Sequence, residues 1–313
     1  MINWGVNSLN HGHSIAVFKD NKFIDNVVGS EDIISDSSMN HALNYGSPDR
    51  IFWYEKPWLK KIRQLYAGQY STAFDLSVLP KNHMKRFKYA SIIYTAHHAS
   101  HAAAGYYTSP FNHCAVVVLD AIGEFDCATI WNCIHGEMKK VWSKRYPNSL
   151  GLFYSAFTKL VGLTPVKDEY LLKDMANQGD QDRYYNTVLT YMNTLVKAHK
   201  NMHRGIQDWP HPINNINDQY DIAAAVQRVF REQVHNIMQK AIELTNSDSL
   251  VYMGGCAMNR QANKLEVEPK FKYIWSLPNP GDPSSSIGAV LYHTKNRVRD
   301  HQWAPVNHIA IKV

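Results

Sequence analysis

The chain has 313 residues, 45% hydrophobic and 19% charged, which supports a sizeable core and excludes a disordered polymer. No run of about 18 apolar residues occurs, and residues 1–5 enter a strand pattern without a basic-then-apolar leader, so neither a membrane span nor export is expected and the cytoplasm is. A formal charge of +6 is too mild to demand nucleic acid, yet it admits an anionic substrate, from a phosphate to a polynucleotide.

In chain order, residues 2–6 read as a strand, 7–14 as a polar turn holding His11 and His13, 15–18 as a strand, 19–22 as a hairpin turn and 23–28 as a third strand. Residues 51–54 are a strand, 58–70 a helix, 91–96 a strand and 96–107 an Ala-rich helix. The opening pattern then returns about 110 residues later: strand 115–119, a polar turn from Asp120, strand 127–133, a turn and strand 138–142. That repetition predicts an internal duplication. Helices are expected at 150–163 (capped by Ser149), 185–199 and 221–245 (capped by Asp221), with a long loop over 201–219. Strand 250–253 ends in Gly254-Gly255, a helix-like stretch covers 256–265, strand 271–277 follows, and 284–294 is the last helix. Cys114, Cys127, Cys133 and Cys256 lack CxxC spacing and read as buried thiols.

His97 and His101 are four apart, so a helix places both imidazoles on one face. That spacing suits two ligands of one metal ion, or simply a surface helix face. Asp120 ends an apolar strand, a usual place for site residues in α/β folds. Asp282 either caps the last helix or completes a set of two His and two Asp, which suits Fe²⁺, Mn²⁺ or Zn²⁺ rather than Ca²⁺. Gly254-Gly255 and Gly281 each precede a helix-like segment and would let a phosphate approach the backbone. His11 and His13 are either satisfied turn residues or cleft residues able to act as a base. Two basic stretches, 81–88 with Phe87 and 197–204, are either solvated faces or binding patches. No GxSxG, Walker A or dinucleotide-binding glycine pattern is present.

Two like lobes around a cleft, each opening with a phosphate-type turn, resemble the duplicated α/β fold of the actin-like ATPases and sugar kinases, with lobes expected at 1–112 and 113–313. The ordered motifs resemble the carbamoyltransferase family of nodulation-factor and antibiotic O-carbamoyltransferases, related to the tRNA threonylcarbamoyl transferases. The residues carrying the resemblance are Gly5-Val6-Asn7 with His11 to Ala16, Tyr54-Glu55-Lys56-Pro57, His97-His98-Ala99-Ser100-His101-Ala102 with Ser109-Pro110-Phe111, and Asp120-Ala121-Ile122-Gly123-Glu124. Further along they are Ser149-Leu150-Gly151-Leu152-Phe153-Tyr154, Glu169-Tyr170, Gly254 to Asn259 with Asn263, and Pro280-Gly281-Asp282 with Ile287-Gly288-Ala289.

The resemblance implies a metal held by His97, His101, Asp120 and Asp282, Fe²⁺ first, and a cleft that takes carbamoyl-adenylate. It implies donor contacts from Gly151, Glu169, Gly254, Gly255, Asn259 and Gly281, and a catalytic part for His11, His13 and Asp120. The sequence departs from the family in lacking a basic stretch after the third strand, in Leu171 where the family has Lys, and in Ser284 where it has Gly. The chain reads as a short form without the C-terminal domain that makes carbamoyl-adenylate from carbamoyl phosphate and ATP. A separate adenylating protein, or direct use of carbamoyl phosphate, is therefore expected. The acceptor would be a hydroxyl compound: a hydroxymethylated pyrimidine in DNA or a nucleotide, or a small sugar or antibiotic. A tRNA-modifying transferase and a non-enzymatic actin-like nucleotide-binding protein are the rival readings.

Overall fold

The computed structural model describes residues 1–10, 12–194, 202, 205–299 and 301–313. His11 and most of the basic stretch 197–204 lie outside the described residues.

The first sheet is built from β1 (Ile2–Asn10), β2 (Gly12–Lys19), β3 (Lys22–Gly29), β4 (Arg50–Trp53) and β5 (Ser91–Tyr94). The second has β6 (His113–Leu119), β7 (Asp126–Ile134), β8 (Glu137–Arg145), β9 (Ser249–Met253) and β10 (Tyr273–Trp275). The orders are β3-β2-β1-β4-β5 and β8-β7-β6-β9-β10, one pattern used twice. Within each sheet the first three strands pair antiparallel as a meander, the fourth pairs parallel with the first strand's free side, and the fifth pairs parallel with the fourth. The expected duplication is therefore present strand by strand. The central strand β6 is apolar along six consecutive buried positions, as a strand covered on both faces must be.

The helices are α1 (Asp36–Leu43), α2 (Pro57–Tyr66), α3 (Tyr70–Phe74), α4 (Pro80–His83), α5 (His97–Thr108), α6 (Leu150–Leu160), α7 (Glu169–Met175), α8 (Tyr185–Thr194), α9 (Ile216–Thr245), α10 (Arg260–Ala262) and α11 (Asp282–Thr294). Helix α9 starts before the expected Asp221. Asn215 and Asp218 form a reciprocal capping box there, while Asp221 instead binds Arg183. The expected polar turn at 7–14 is mostly strand, because the Ser8 and Ser14 hydroxyls find partners in Ile34 N–H and the Pro283 carbonyl. The expected helix 58–70 breaks at Gly68, where φ is +72°. The stretch 256–265 divides into a 3₁₀ turn (Gly255–Met258), α10 and a π-turn (Asn263–Val267).

Helix α5 follows β5, and α11 follows β10, so these two occupy equivalent places in the two halves. They pack directly on each other. A Cβ on Gly288 of α11 would lie 1.7 Å from the Ser100 carbonyl oxygen of α5, and one on Gly5 of β1 would lie 1.8 Å from the Ser286 carbonyl. The first sheet ends with β5 at Tyr94 and the second begins with β6 at His113, but α11 crosses back to lie on the first sheet and shares its core with Trp4, Val6 and Trp53.

Candidate metal centre

The first turn of α5 carries His97 and His101. The helix is buried along its whole length, and its N-terminus is closed by a carboxylate from elsewhere: Glu124 accepts from His97 N–H at 3.1 and 3.2 Å and from Lys56 N–H at 2.8 Å. A carboxylate there is favoured by the positive end of the helix dipole. Burial raises the Glu124 carboxyl above its ordinary range.

Asp120 follows β6. Its Oδ1 accepts from the N–H groups of Ala121 at 2.9 Å and Gly255 at 3.2 Å, so Oδ2 is turned toward α5. Gly254, at φ +94°, makes this approach possible, since a Cβ there would lie 2.2 Å from the Leu119 carbonyl. Asp282 opens α11 directly across from His97 and His101. The candidate ligand atoms are 2.8 Å (His97 Nε2 to Asp120 Oδ2), 3.1 Å (His97 Nε2 to His101 Nε2), 3.4 Å (His97 Nε2 to Asp282 Oδ1), 3.3 Å (His101 Nε2 to Asp282 Oδ1) and 3.6 Å (His101 Nε2 to Asp120 Oδ2) apart. All lie within 4.8 Å of one another, and both imidazoles are buried. An ion about 2.1 Å from imidazole and carboxylate donors sets them about 3.4 Å apart when tetrahedral and about 3.0 Å apart when octahedral. The observed spacings bracket both.

The electrostatics agree with the geometry. Burial opposes a charged His97, but Asp282 and Asp120, with Glu124, outweigh it and raise the imidazole to about 9. His101 moves up as well, against its burial, through its hydrogen bonds to Asp120 and Asp282. Both aspartates are held below the usual carboxylate range despite burial: His101 and His97 act on Asp120, and His97 and His101 on Asp282. The site draws positive charge.

The other expected site residues divide into those at this centre and those beside it. Gly255 touches Asp120, and Gly281 lies next to Gly255, with a Cβ on Gly281 3.9 Å from the Gly255 Cα. Gly254 N–H donates to the Pro280 carbonyl at 2.8 Å, which ties the two glycine turns together. Gly151, at the start of α6, packs on the Asp120–Ala121 backbone, 2.6 Å from the Ala121 Cα if a Cβ is added. Asn259 caps α10 and exchanges amide hydrogen bonds with Gln227 at 3.0 and 3.1 Å, and Gln227 accepts from the Tyr154 hydroxyl at 2.8 Å. Glu169 accepts from Ser155 Oγ at 2.7 Å and Val166 N–H at 2.6 Å. A pocket of about 300 Å³ borders Gln227 and Gln261 between α7 and α9, and shares none of the four ligand residues.

His13 is a correction. Its Nδ1 lies 2.8 Å from the Glu31 carbonyl and its Nε2 2.8 Å from the Ser38 hydroxyl, so neither nitrogen is left for an acceptor. Sequence reasoning did not assign a role to Glu124, although Gly123-Glu124 stands four residues past Asp120. Gln227 was also missed, and nothing local marks it, since its partner Asn259 is 32 residues away.

The fold defines the class first. The activator of the 2-hydroxyisocaproyl-CoA dehydratase from Clostridium difficile, solved with bound ADPNP, superposes with a TM-score of 0.50 at 11% identity over 94% of this chain and 96% of that one. The two like sheets are those of the duplicated actin-like ATPase and sugar kinase fold. The family described as Carbamoyltransferase N-terminus matches residues 50–291, and the chain belongs to it. An uncharacterized protein of Synechocystis sp. is 30% identical over 222 residues, 64% of this chain and 36% of its own length. Nodulation protein NolO of Bradyrhizobium diazoefficiens is 25% identical over 227 residues, 67% of this chain and 41% of its own length. The matches thus span about two fifths of those relatives' lengths. Among the described residues no helix is long and apolar enough to cross a membrane.

Proposed function

We propose that the chain is a metal-dependent O-carbamoyltransferase, passing a carbamoyl group from carbamoyl phosphate or carbamoyl-adenylate to an acceptor hydroxyl. The observation that carries this reading is the convergence of His97, His101, Asp120 and Asp282 within 4.8 Å. With both imidazoles neutral, these side chains bury two carboxylates together, a charge that a dication balances. The nitrogen and oxygen donors suit Fe²⁺, Mn²⁺ or Zn²⁺, and Fe²⁺ stands first on the family resemblance. The bound ion would stabilise negative charge on the donor's phosphoryl oxygens.

The chain's own groups supply orientation. The Ala121 and Gly255 amides fix Asp120 so that one oxygen faces the centre. Glu124 fixes the start of α5 and the turn after β4 through the same carboxylate. Gly255 and Gly281 leave the backbone open beside Asp120, where a phosphate would lie. His11 is the base we assign to the acceptor hydroxyl. A cytoplasmic setting fits four free cysteines, and a separate adenylating protein is the partner to look for when carbamoyl-adenylate is the donor.

The test is incubation of the Fe²⁺-loaded chain with carbamoyl phosphate, with and without ATP and with supplied carbamoyl-adenylate. The acceptors are sugars, nucleotides and hydroxymethylcytosine DNA, followed by mass spectrometry. A carbamoyl mass shift that needs the metal is expected. No shift with any donor in the loaded protein contradicts the proposal.

A further inference from the structure

We propose that the outer face of the segment between β4 and β5 binds single-stranded nucleic acid and so presents the acceptor to the metal centre. Residues 57–90 hold seven Lys or Arg and one acidic residue, Asp75, a net +6 that equals the charge of the whole chain. The rest of the protein is neutral in sum. Part of this charge is used internally: Lys60 pairs with Glu55 at 2.9 Å, Lys61 binds the carbonyls of residues 72, 73 and 75, and Arg63 binds Gln69. Lys81, Lys85 and Lys88 are exposed and have no ion pair among the described residues.

The same segment wears its apolar side outward. Helix α2 buries Pro57, Arg63 and Gln64, while Trp58, Ile62 and Leu65, spaced four and three residues apart along one face, are exposed. Tyr70 and Phe74 of α3 are 64% and 70% exposed, and Tyr89 is fully exposed. An exposed apolar face of this kind marks a binding surface. A second copy of this chain is a poor occupant, since self-association would bring the exposed Lys81, Lys85 and Lys88 of two copies together. Aromatic rings interleaved with lysines fit a single strand, whose bases stack on the rings while its phosphates meet the ammonium groups.

The surface also leads to the site. Helix α2 starts one residue after Lys56, whose N–H shares the Glu124 carboxylate with His97 N–H. At its far end the Tyr66 ring meets Tyr146, beyond β8, at 6.1 Å. This inference deepens the transferase reading and rests on it for the hydroxyl chemistry, whereas the binding is measured without transfer.

The test is fluorescence anisotropy of a labelled single-stranded oligodeoxynucleotide with the full chain at low salt. Saturable binding is expected, with the slope of log K against log salt flattening by about 0.7 for each of Lys81→Ala, Lys85→Ala and Lys88→Ala. Tyr89→Ala and Phe74→Ala are expected to weaken binding about fivefold or more. These side chains are exposed, so unchanged thermal melting and metal content show that each variant is folded with its centre intact. No binding by the wild type at low salt overturns the proposal. So does equal binding by all five variants, or capture by phosphatidylglycerol vesicles that the oligonucleotide does not displace. Metal loss in His101→Ala with oligonucleotide binding retained leaves the surface standing, whereas absent transfer by the loaded wild type, with strand binding intact, counts against the transferase reading alone.

Discussion

The two halves of the molecule share one strand order and do different work with it. In register, Val6 at the end of its pairing with β4 matches Val118 at the end of its pairing with β9. Two residues further on, the first half has Ser8 and the second has Asp120. Ser8 spends its hydroxyl on the loop, accepting from Ile34 N–H at 3.1 Å, while Asp120 turns a carboxylate oxygen to the histidines. The equivalent helices diverge in the same way: α5 brings two imidazoles and α11 one carboxylate, and the centre forms where their first turns meet. Duplication supplies a symmetric frame, and a few substitutions at matching positions make the chemistry one-sided.

The contact between the halves is the place to break that frame. Gly288→Ala drives a methyl into the Ser100 carbonyl, 1.7 Å away, and should cost about 3 kcal/mol, read from denaturant unfolding. Asp120→Ala and Ser8→Ala then separate the two halves by function. Asp120→Ala should lower metal affinity more than about 100-fold, beyond what an outer-shell partner costs. Ser8→Ala should retain the metal and lose about 2 kcal/mol of stability, since it strands the buried Ile34 N–H. Metal titration and unfolding of the two variants side by side check the contrast. Glu124→Gln should be milder, about tenfold in metal affinity, because the amide oxygen can still meet His97 N–H but carries no charge for the helix end.

A smaller effect sharpens the comparison. Each half places a hydroxyl directly after its fifth strand, and a histidine from the C-terminal part of the chain sits on each: His293 on Thr95 at 3.1 Å, and His308 on Ser276 at 2.9 Å. Burial lowers both, His308 to about 4. A depressed histidine binds fewer protons folded than unfolded, so its contribution is complete above about 6.5 and is lost as pH falls toward 4. Asp120 and Asp282, whose carboxyls are depressed, lose their contribution only below about 3.8, and the raised His97 matters only above about 6.5, whereas Glu124, raised by burial from 4.5, acts inside this window in the opposite sense and is common to all the proteins compared. Thermal melting should drop less between these pH values in His308→Gln, and less also in His293→Gln, than in the wild type, since burial lowers both imidazoles.

Much of this frame was legible because its signals are local. The HxxxH spacing, the acid at the end of an apolar strand and the glycine pairs before helices are each readable within a few residues, and the structure brings them together. The doubled strand pattern was legible for the same reason. What was not legible depends on distance or on orientation. Glu124 acts on residues 27 and 68 positions away. The return of α11 to the first sheet is topology, which no local pattern encodes. The start of α9 was missed because Asp221 reads as a cap in sequence, whereas the fold ties Asp221 to Arg183 and caps the helix at Asn215 with Asp218. Amphipathic spacing in α2 marks a face without saying that the face points outward. His13 offered a plausible base in sequence, but the fold closes both its nitrogens.

The most direct measurement is the metal content of the purified chain by plasma mass spectrometry, for the wild type, Asp120→Ala and Ser8→Ala reconstituted with Fe²⁺ under identical conditions. About one ion per chain is expected in the wild type and in Ser8→Ala, and almost none in Asp120→Ala. Equal metal in all three folded proteins, or none in the wild type, would contradict it.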